Sequence, residues 1–248
     1  VAAGPDDPVA APGHGAPRVR PAGDAALTVE LGDTVDPVVN RRVLEFDRRV
    51  RASGLPGLLE SVPTYRSLFV QYDPGAVAFD ALAAALLALV PDGDVPAEGR
   101  RWVFPVCYGG EHGEDLGHVA GTHGLTAEQV VAAHLAAEYR VYMIGFAPGF
   151  AYMGGLPELL HTPRRASPRL RIPANSVAIG GVQAGITSIP VPSGWHLLGR
   201  TPARMFDLAR GDDAFLLAAG DIVRFERIDT ATFAALEGAD GPVARRVG

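Results

Sequence analysis

Apolar and polar side chains alternate over Leu27-Thr28-Val29-Glu30-Leu31, which predicts a half-buried strand. Asp36-Pro37 then offers an N-cap and a proline at the first helical position, and Val39, Val43, Phe46 and Val50 recur at helical spacing until Gly54. Leu58 to Val62 and Ser67 to Tyr72 read as a hairpin, followed by the turn residues Asp73-Pro74-Gly75. A second helix over Ala76 to Leu89 and a strand over Trp102 to Cys107 complete the order β-α-β-β-α-β of ferredoxin-like domains.

Beyond the polar, Pro- and Gly-containing stretch Pro91 to Gly99 the texture changes. Thr126 and Gln129 form a capping box, with Leu125 and Val130 as its hydrophobic staple, predicting a helix to about Ala137. From Tyr139 onward short apolar runs are broken by Gly and Pro, the punctuation of an irregular β-barrel. Ile222 to Phe225 reads as a late strand and Thr230 to Leu236 as a short closing helix before a frayed end. The expected class is α+β: residues 1–17 a flexible tail, 18–100 a ferredoxin-like α/β domain, and 101–248 a barrel domain.

Composition narrows the function. With 48% hydrophobic residues in 248, the chain can bury a substantial core, and a formal net charge of −6 without long runs of like charge gives no reason to expect nucleic acid or an anionic membrane as partner. Its longest apolar stretch, Val77 to Val90, carries Asp80 and is too short for a membrane span. The first residues lack the basic start and apolar middle of a secretion signal, and a single cysteine, Cys107, cannot form an internal disulfide, so a reducing cytoplasm is the expected compartment. Lysine is absent altogether, which excludes a P-loop.

Long motifs sit in the second half: Gly145-Phe146-Ala147-Pro148-Gly149-Phe150-Ala151-Tyr152, Thr162-Pro163-Arg164, Pro168-Arg169-Leu170-Arg171-Ile172-Pro173, Ile179-Gly180-Gly181-Val182-Gln183-Ala184-Gly185 and Gly194-Trp195-His196-Leu197-Leu198-Gly199-Arg200-Thr201-Pro202. With Pro63-Thr64-Tyr65-Arg66-Ser67 and Pro105-Val106-Cys107-Tyr108-Gly109-Gly110-Glu111, they closely resemble the KipI/allophanate-hydrolase-subunit-1 family across almost the whole chain after the tail. The resemblance implies a cyclophilin-like barrel after the α/β domain, a KipA-type (allophanate hydrolase subunit 2, C-type) partner and a LamB/YcsF-type (A) component. It implies that together they open the lactam of 5-oxoproline to glutamate, with ATP as co-substrate. It also leaves two other activities open: inhibition of a sensor histidine kinase, and hydrolysis of allophanate or a urea-derived amide. Three positions depart from the pattern: Asn175 in place of glycine, Thr187 in place of an aromatic, and Val191-Pro192-Ser193 before the Gly-Trp.

Opening a lactam through a phosphorylated intermediate concentrates negative charge. Arg164, Arg165, Arg169 and Arg171 fall within eight residues, and guanidinium groups suit carboxylate or phosphate; a solvated loop is the alternative. In an extended segment Arg169 and Arg171 share a face. Gly180, Gly181 and Gly185 around Gln183 fit either close approach to a ligand or a tight barrel turn. Phe146, Pro148 and Phe150, and likewise Trp195 and His196, are pocket or interface candidates against a background of ordinary core packing, and Arg200 beside them joins the anion-binding candidates. Glu111 and His112, beside Glu114 and Asp115, could supply an acid or base, but no recognised metal spacing is met, His118 and His123 being five apart. No sequence signature ties Cys107 to a catalytic set, and no catalytic residue is assigned.

Overall fold

The computed structural model describes residues 16–96, 99–237 and 243–247; nearly all of the predicted N-terminal tail lies outside them. The chain divides into two compact units between Pro96 and Ala97.

The first unit runs β1 (Arg18–Pro21), β2 (Ala26–Glu30), α1 (Pro37–Ala52), β3 (Leu58–Pro63), β4 (Ser67–Tyr72) and α2 (Phe79–Leu89). Asp36 caps α1, its Oδ1 accepting from Val38 N at 2.7 Å and Val39 N at 3.1 Å. Val39, Val43, Phe46 and Val50 form the buried stripe of that helix, each stabilising the fold by about 1.5–3 kcal/mol on burial. They pack with Leu27, Val29, Leu68, Val70, Leu82 and Leu86.

The sheet order is β1-β2-β4-β3, antiparallel throughout. This is the ferredoxin-like arrangement with one substitution. The place expected for the strand at Trp102 to Cys107 is taken by β1, a short, mostly exposed arginine-bearing strand that folds back on β2.

Arg101–Tyr108 instead forms β5 of the second unit. After it come α3 (Leu116–His123), α4 (Ala127–Ala136), β6 (Tyr139–Ile144), β7 (Ala151–Gly154), β8 (Arg169–Ile172), β9 (Ser176–Gly180), β10 (Gln183–Ile186), β11 (Val191–Ser193), β12 (His196–Arg200), β13 (Ile222–Ile228), α5 (Thr230–Glu237) and β14 (Arg245–Val247). Strands run in the order β12-β9-β10-β7-β6-β13-β5, and β5 pairs back to β12, closing a barrel of seven strands among the described residues. Closure removes the free sheet edges. Where a frayed end was expected, β14 pairs with the start of β5. The unpredicted helix is α3: with Gly117, Gly121 and two histidines in eight residues it has little intrinsic helicity, and Leu116, Val119 and Ala120 hold it to the barrel core.

Alternation along the strands gives the barrel wall two faces. Ala151 and Met153 of β7 and Val177 and Ile179 of β9 point inward, to a core with Phe104, Val106, Tyr139 and Phe225. Phe150 and Ala178 belong to a second cluster on the other face, with Trp195 and Leu197. Ile172 and Val191, from the two-stranded ribbon β8–β11, cover part of it. Inside, His134 of α4 is fully buried between Tyr139 and Phe225, with Nδ1 2.8 Å from the Tyr108 hydroxyl. Burial alone pulls its pKa down to about 3, so it is a neutral packing element.

Candidate functional site

The outer cluster is organised by one indole. Trp195 lies flat against the sheet over Gly180 and Gly185, where an added Cβ would fall 2.7 and 2.9 Å from its ring. These glycines make room for tryptophan, and Gly181, at φ +64°, turns the β9–β10 hairpin. Phe150 and Tyr152 meet the indole edge-on at centroid distances of 5.9 and 5.8 Å. Phe146 extends the chain of rings by an edge contact with Phe150 at 5.9 Å. It is 66% exposed and has φ +68°, a conformation that phenylalanine rarely adopts. The guanidinium of Arg164 stands 5.7 Å over the Trp195 ring. Burial raises the Tyr152 phenol above its usual pKa, and Arg164 works in the opposite direction.

The arginine group divides into two pairs. Asp115, buried at the start of α3, accepts from Arg165 at 3.0 Å and from Arg169 at 2.8 and 2.9 Å, and its Oδ2 also accepts from Leu197 N at 2.8 Å. Burial alone would raise its pKa; the hydrogen bonds from Arg169 and Leu197, together with the two positive charges, outweigh that and hold it below the ordinary 3.8. Arg169 also reaches Glu114 at 3.1 Å. Among the described residues neither Arg164 nor Arg171 has a carboxylate within 4.0 Å. Arg169 and Arg171 do share a face of β8, but Arg169 is committed to Asp115.

Asp115 thereby clamps the segments carrying Arg164 and Trp195. Arg165 N donates to Gly194 O at 2.7 Å. His196 donates from Nε2 to Pro163 O at 2.9 Å and stacks on His118 at 5.0 Å. Thr162 donates to Leu160 O, so His123 Nε2 is the donor in its 3.0 Å bond to the Thr162 hydroxyl. Asp115 at the N-cap of α3 and His118 and His123 along it therefore tie down the two loops that present the site.

The remaining candidates fall elsewhere. Arg200 pairs with Glu237 at 3.1 Å and lies over Phe233 of α5; His112 packs on the same ring at 4.3 Å, and the exposed Glu111 is 3.9 Å from its Nε2. Gln183 is half-buried on β10 and Pro148 exposed in the Phe146–Phe150 turn. Cys107 is buried, 3.8 Å from the Thr230 hydroxyl, beside an open cavity of about 450 Å³. No group of three or more His, Cys, Asp or Glu side chains comes together among the described residues. The departures have local explanations. Asn175 adopts φ +60°, which asparagine tolerates better than most residues, and the Thr187 hydroxyl accepts from Ser176 N and donates to Pro173 O. Ser193 Oγ accepts from Trp195 N.

Sequence reasoning misses Tyr152 as a site residue and misses the organising role of Asp115. Tyr152 was detectable, since two residues after Phe150 in a strand it must share that face. The role of Asp115 carried no such signal, its arginine partners lying 50 or more residues away.

The fold and this surface define an α+β protein with a closed barrel whose outer wall presents an aromatic and arginine site. The chain belongs to the family described as carboxyltransferase domain, subdomain C and D, whose model matches residues 17–217. It is 41% identical to the B subunit of 5-oxoprolinase from Escherichia coli O157:H7 over 82% of this chain and 92% of that protein. It is 38% identical to the corresponding 5-oxoprolinase B subunit of Bacillus subtilis (strain 168) over 85% and 92%. Among solved structures, TTHA0988 matches with TM-score 0.74 and 37% identity over 86% of this chain but only 40% of its own. A conserved uncharacterized protein, PH0987 from Pyrococcus horikoshii, matches with TM-score 0.53 and 38% identity over 87% of this chain and all of its own.

Proposed function

We propose that this chain is the B-type subunit of an ATP-dependent 5-oxoprolinase, acting in the cytoplasm and inactive alone. It would pair with a subunit-2 (KipA-type) partner and a LamB/YcsF-type component to hydrolyse 5-oxoproline to glutamate. The observation that carries the reading is the 41% identity that spans 92% of a relative named as the B subunit of 5-oxoprolinase.

The outer-wall site suits such a substrate. Arg164 and Arg171 are cations without a carboxylate partner among the described residues, matched to the substrate's carboxylate, while Trp195 and Tyr152 offer faces for its five-membered ring. The Asp115 clamp holds Arg164 and Trp195 in place before substrate arrives, so little ordering remains to be done on binding. ATP is a co-substrate of the complex in this reading; with no lysine in the chain, any share of the phosphates held here would fall to arginines and backbone amides.

The test is co-expression of this chain with the subunit-2 partner and the third component, followed by assay of ATP-dependent glutamate release from 5-oxoproline. Activity lost when this chain alone is omitted supports the reading. An assembled but inactive complex transfers the proposal to another amide, allophanate first.

A further inference from the structure

The Phe146–Phe150 turn does more than complete the aromatic cluster. Gly149 sits so close to the stacked Phe206 and Phe215 that an added Cβ would lie 3.1 Å from Phe206 and 3.5 Å from Phe215. Phe146, Phe215 and, two residues beyond Phe206, Leu208 are 66%, 48% and 77% exposed. Phe215 thus stands in solvent beside the turn that exposes Phe146, and the exposed Leu208 follows two residues after the stacked Phe206, where scattered single exposures would be ordinary. Phe146 also holds a left-handed backbone conformation, which glycine would adopt without strain. A strained residue that displays an aromatic to water gains nothing for the isolated fold.

We propose that this patch is the docking surface for the second subunit, and that the subunit seated on Phe146, Leu208 and Phe215 closes over Arg164 and Trp195. The inference rests on the oxoprolinase-subunit reading. A different subunit is favoured as occupant over a second copy of this chain by two features of the relatives. The curated ones are themselves named as subunits, and the unit matched here is all of one solved chain but 40% of another, so it occurs both alone and joined to further protein. The patch also adjoins the site through the Phe146–Phe150 and Phe150–Trp195 contacts, so a partner bound there would lie beside Trp195. The chemistry expected of the partner is an apolar centre facing Phe146, Leu208 and Phe215 with a polar rim, because the exposed Arg204, Asp212 and Asp213 flank Leu208 in the chain.

The experiment measures affinity for the separately purified subunit-2 partner by calorimetry, using the full chain and its variants Phe146→Gly, Leu208→Ser and Leu59→Ser. Leu59 is 63% exposed on β3 of the first unit and serves as control. Phe146→Gly and Leu208→Ser are each expected to weaken binding about tenfold or more. Phe146→Gly should keep or raise the thermal midpoint, which separates loss of docking from loss of fold, and Leu59→Ser should bind as the parent does. If all three variants bind like the parent and the complex remains active, the surface is wrong while the functional reading stands. If the parent chain fails to bind the partner, both fall. Self-association of the parent that these substitutions abolish would overturn the choice of occupant.

Discussion

The two faces of the barrel wall are built from the same strands and differ in almost everything else. Inward, β7 and β9 contribute Ala151, Met153, Val177 and Ile179 to a closed apolar core whose buried imidazole, His134, is held neutral. Outward, residues one step along the same strands carry Tyr152, Ala178 and a glycine floor under Trp195, with cations at the margin. The inner face is complete by itself. Among the described residues the outer face has two arginines with no carboxylate within 4.0 Å, beside a strained exposed phenylalanine and a carboxylate that organises loops. A single period-two pattern thus builds a closed apolar core on one side and the aromatic and arginine cluster on the other.

The sharpest way to break that division is to damage the inner face. Phe104, with no exposed surface, packs against Trp102 at 6.3 Å within the barrel core. Phe104→Ala is expected to cost about 3–5 kcal/mol of stability. The value follows from urea unfolding of the chain, and a loss below that of an exposed substitution would show that the barrel interior is not the main source of stability.

Asp115 tests the border between the faces. Asp115→Ala leaves Leu197 N and Arg165 without their acceptor and Arg169 with Glu114 alone, and because those arginines are partly solvated the expected loss is about 2–3 kcal/mol, less than for a wholly buried pair. The pH dependence has a definite sign. The folded carboxylate titrates below its ordinary 3.8, so its contribution is present above that value and disappears as pH falls through the folded one. The stability gap between parent and Asp115→Ala should therefore be constant from about pH 7 to 5 and narrow below about pH 4. A gap that persisted unchanged at about pH 3 would mean that the clamp acts by shape and not by charge.

Local chemistry made much of this legible in the sequence. The Asp36-Pro37 cap, the Thr126–Gln129 box and the β3–β4 hairpin each depend on residues close together, and all three stand as read. The strand at Trp102 was legible as a strand but not its sheet, because pairing with β12, β13 and β14 joins residues roughly 90 to 150 positions apart. The arginine cluster was visible, but its division into Arg165 and Arg169 against Arg164 and Arg171 was not. That depends on a carboxylate delivered by α3, a helix whose own sequence barely favours it. Asn175 and Thr187, two of the departures from the family pattern, have backbone roles that only the fold reveals: a left-handed turn and a hydroxyl that accepts from Ser176 N.

The smallest expected change in stability bears most directly on the outer face. Arg171 is exposed on β8, with no carboxylate partner among the described residues, and its neighbour Ile172 is already buried by the cluster it covers. Arg171→Ala should therefore alter stability by no more than about 0.5 kcal/mol. If the guanidinium serves the substrate carboxylate, the same change should raise KM for 5-oxoproline about tenfold in the assembled complex, whereas Arg169→Ala should lose stability first. Arg171→Lys, which keeps the charge and loses the planar fork, is expected to recover part of the loss, because a point charge still attracts a carboxylate but cannot bind it bidentately. Unchanged KM in Arg171→Ala would withdraw Arg171 from the proposed site and leave Arg164, held over Trp195, as the remaining cation proposed to meet the substrate carboxylate.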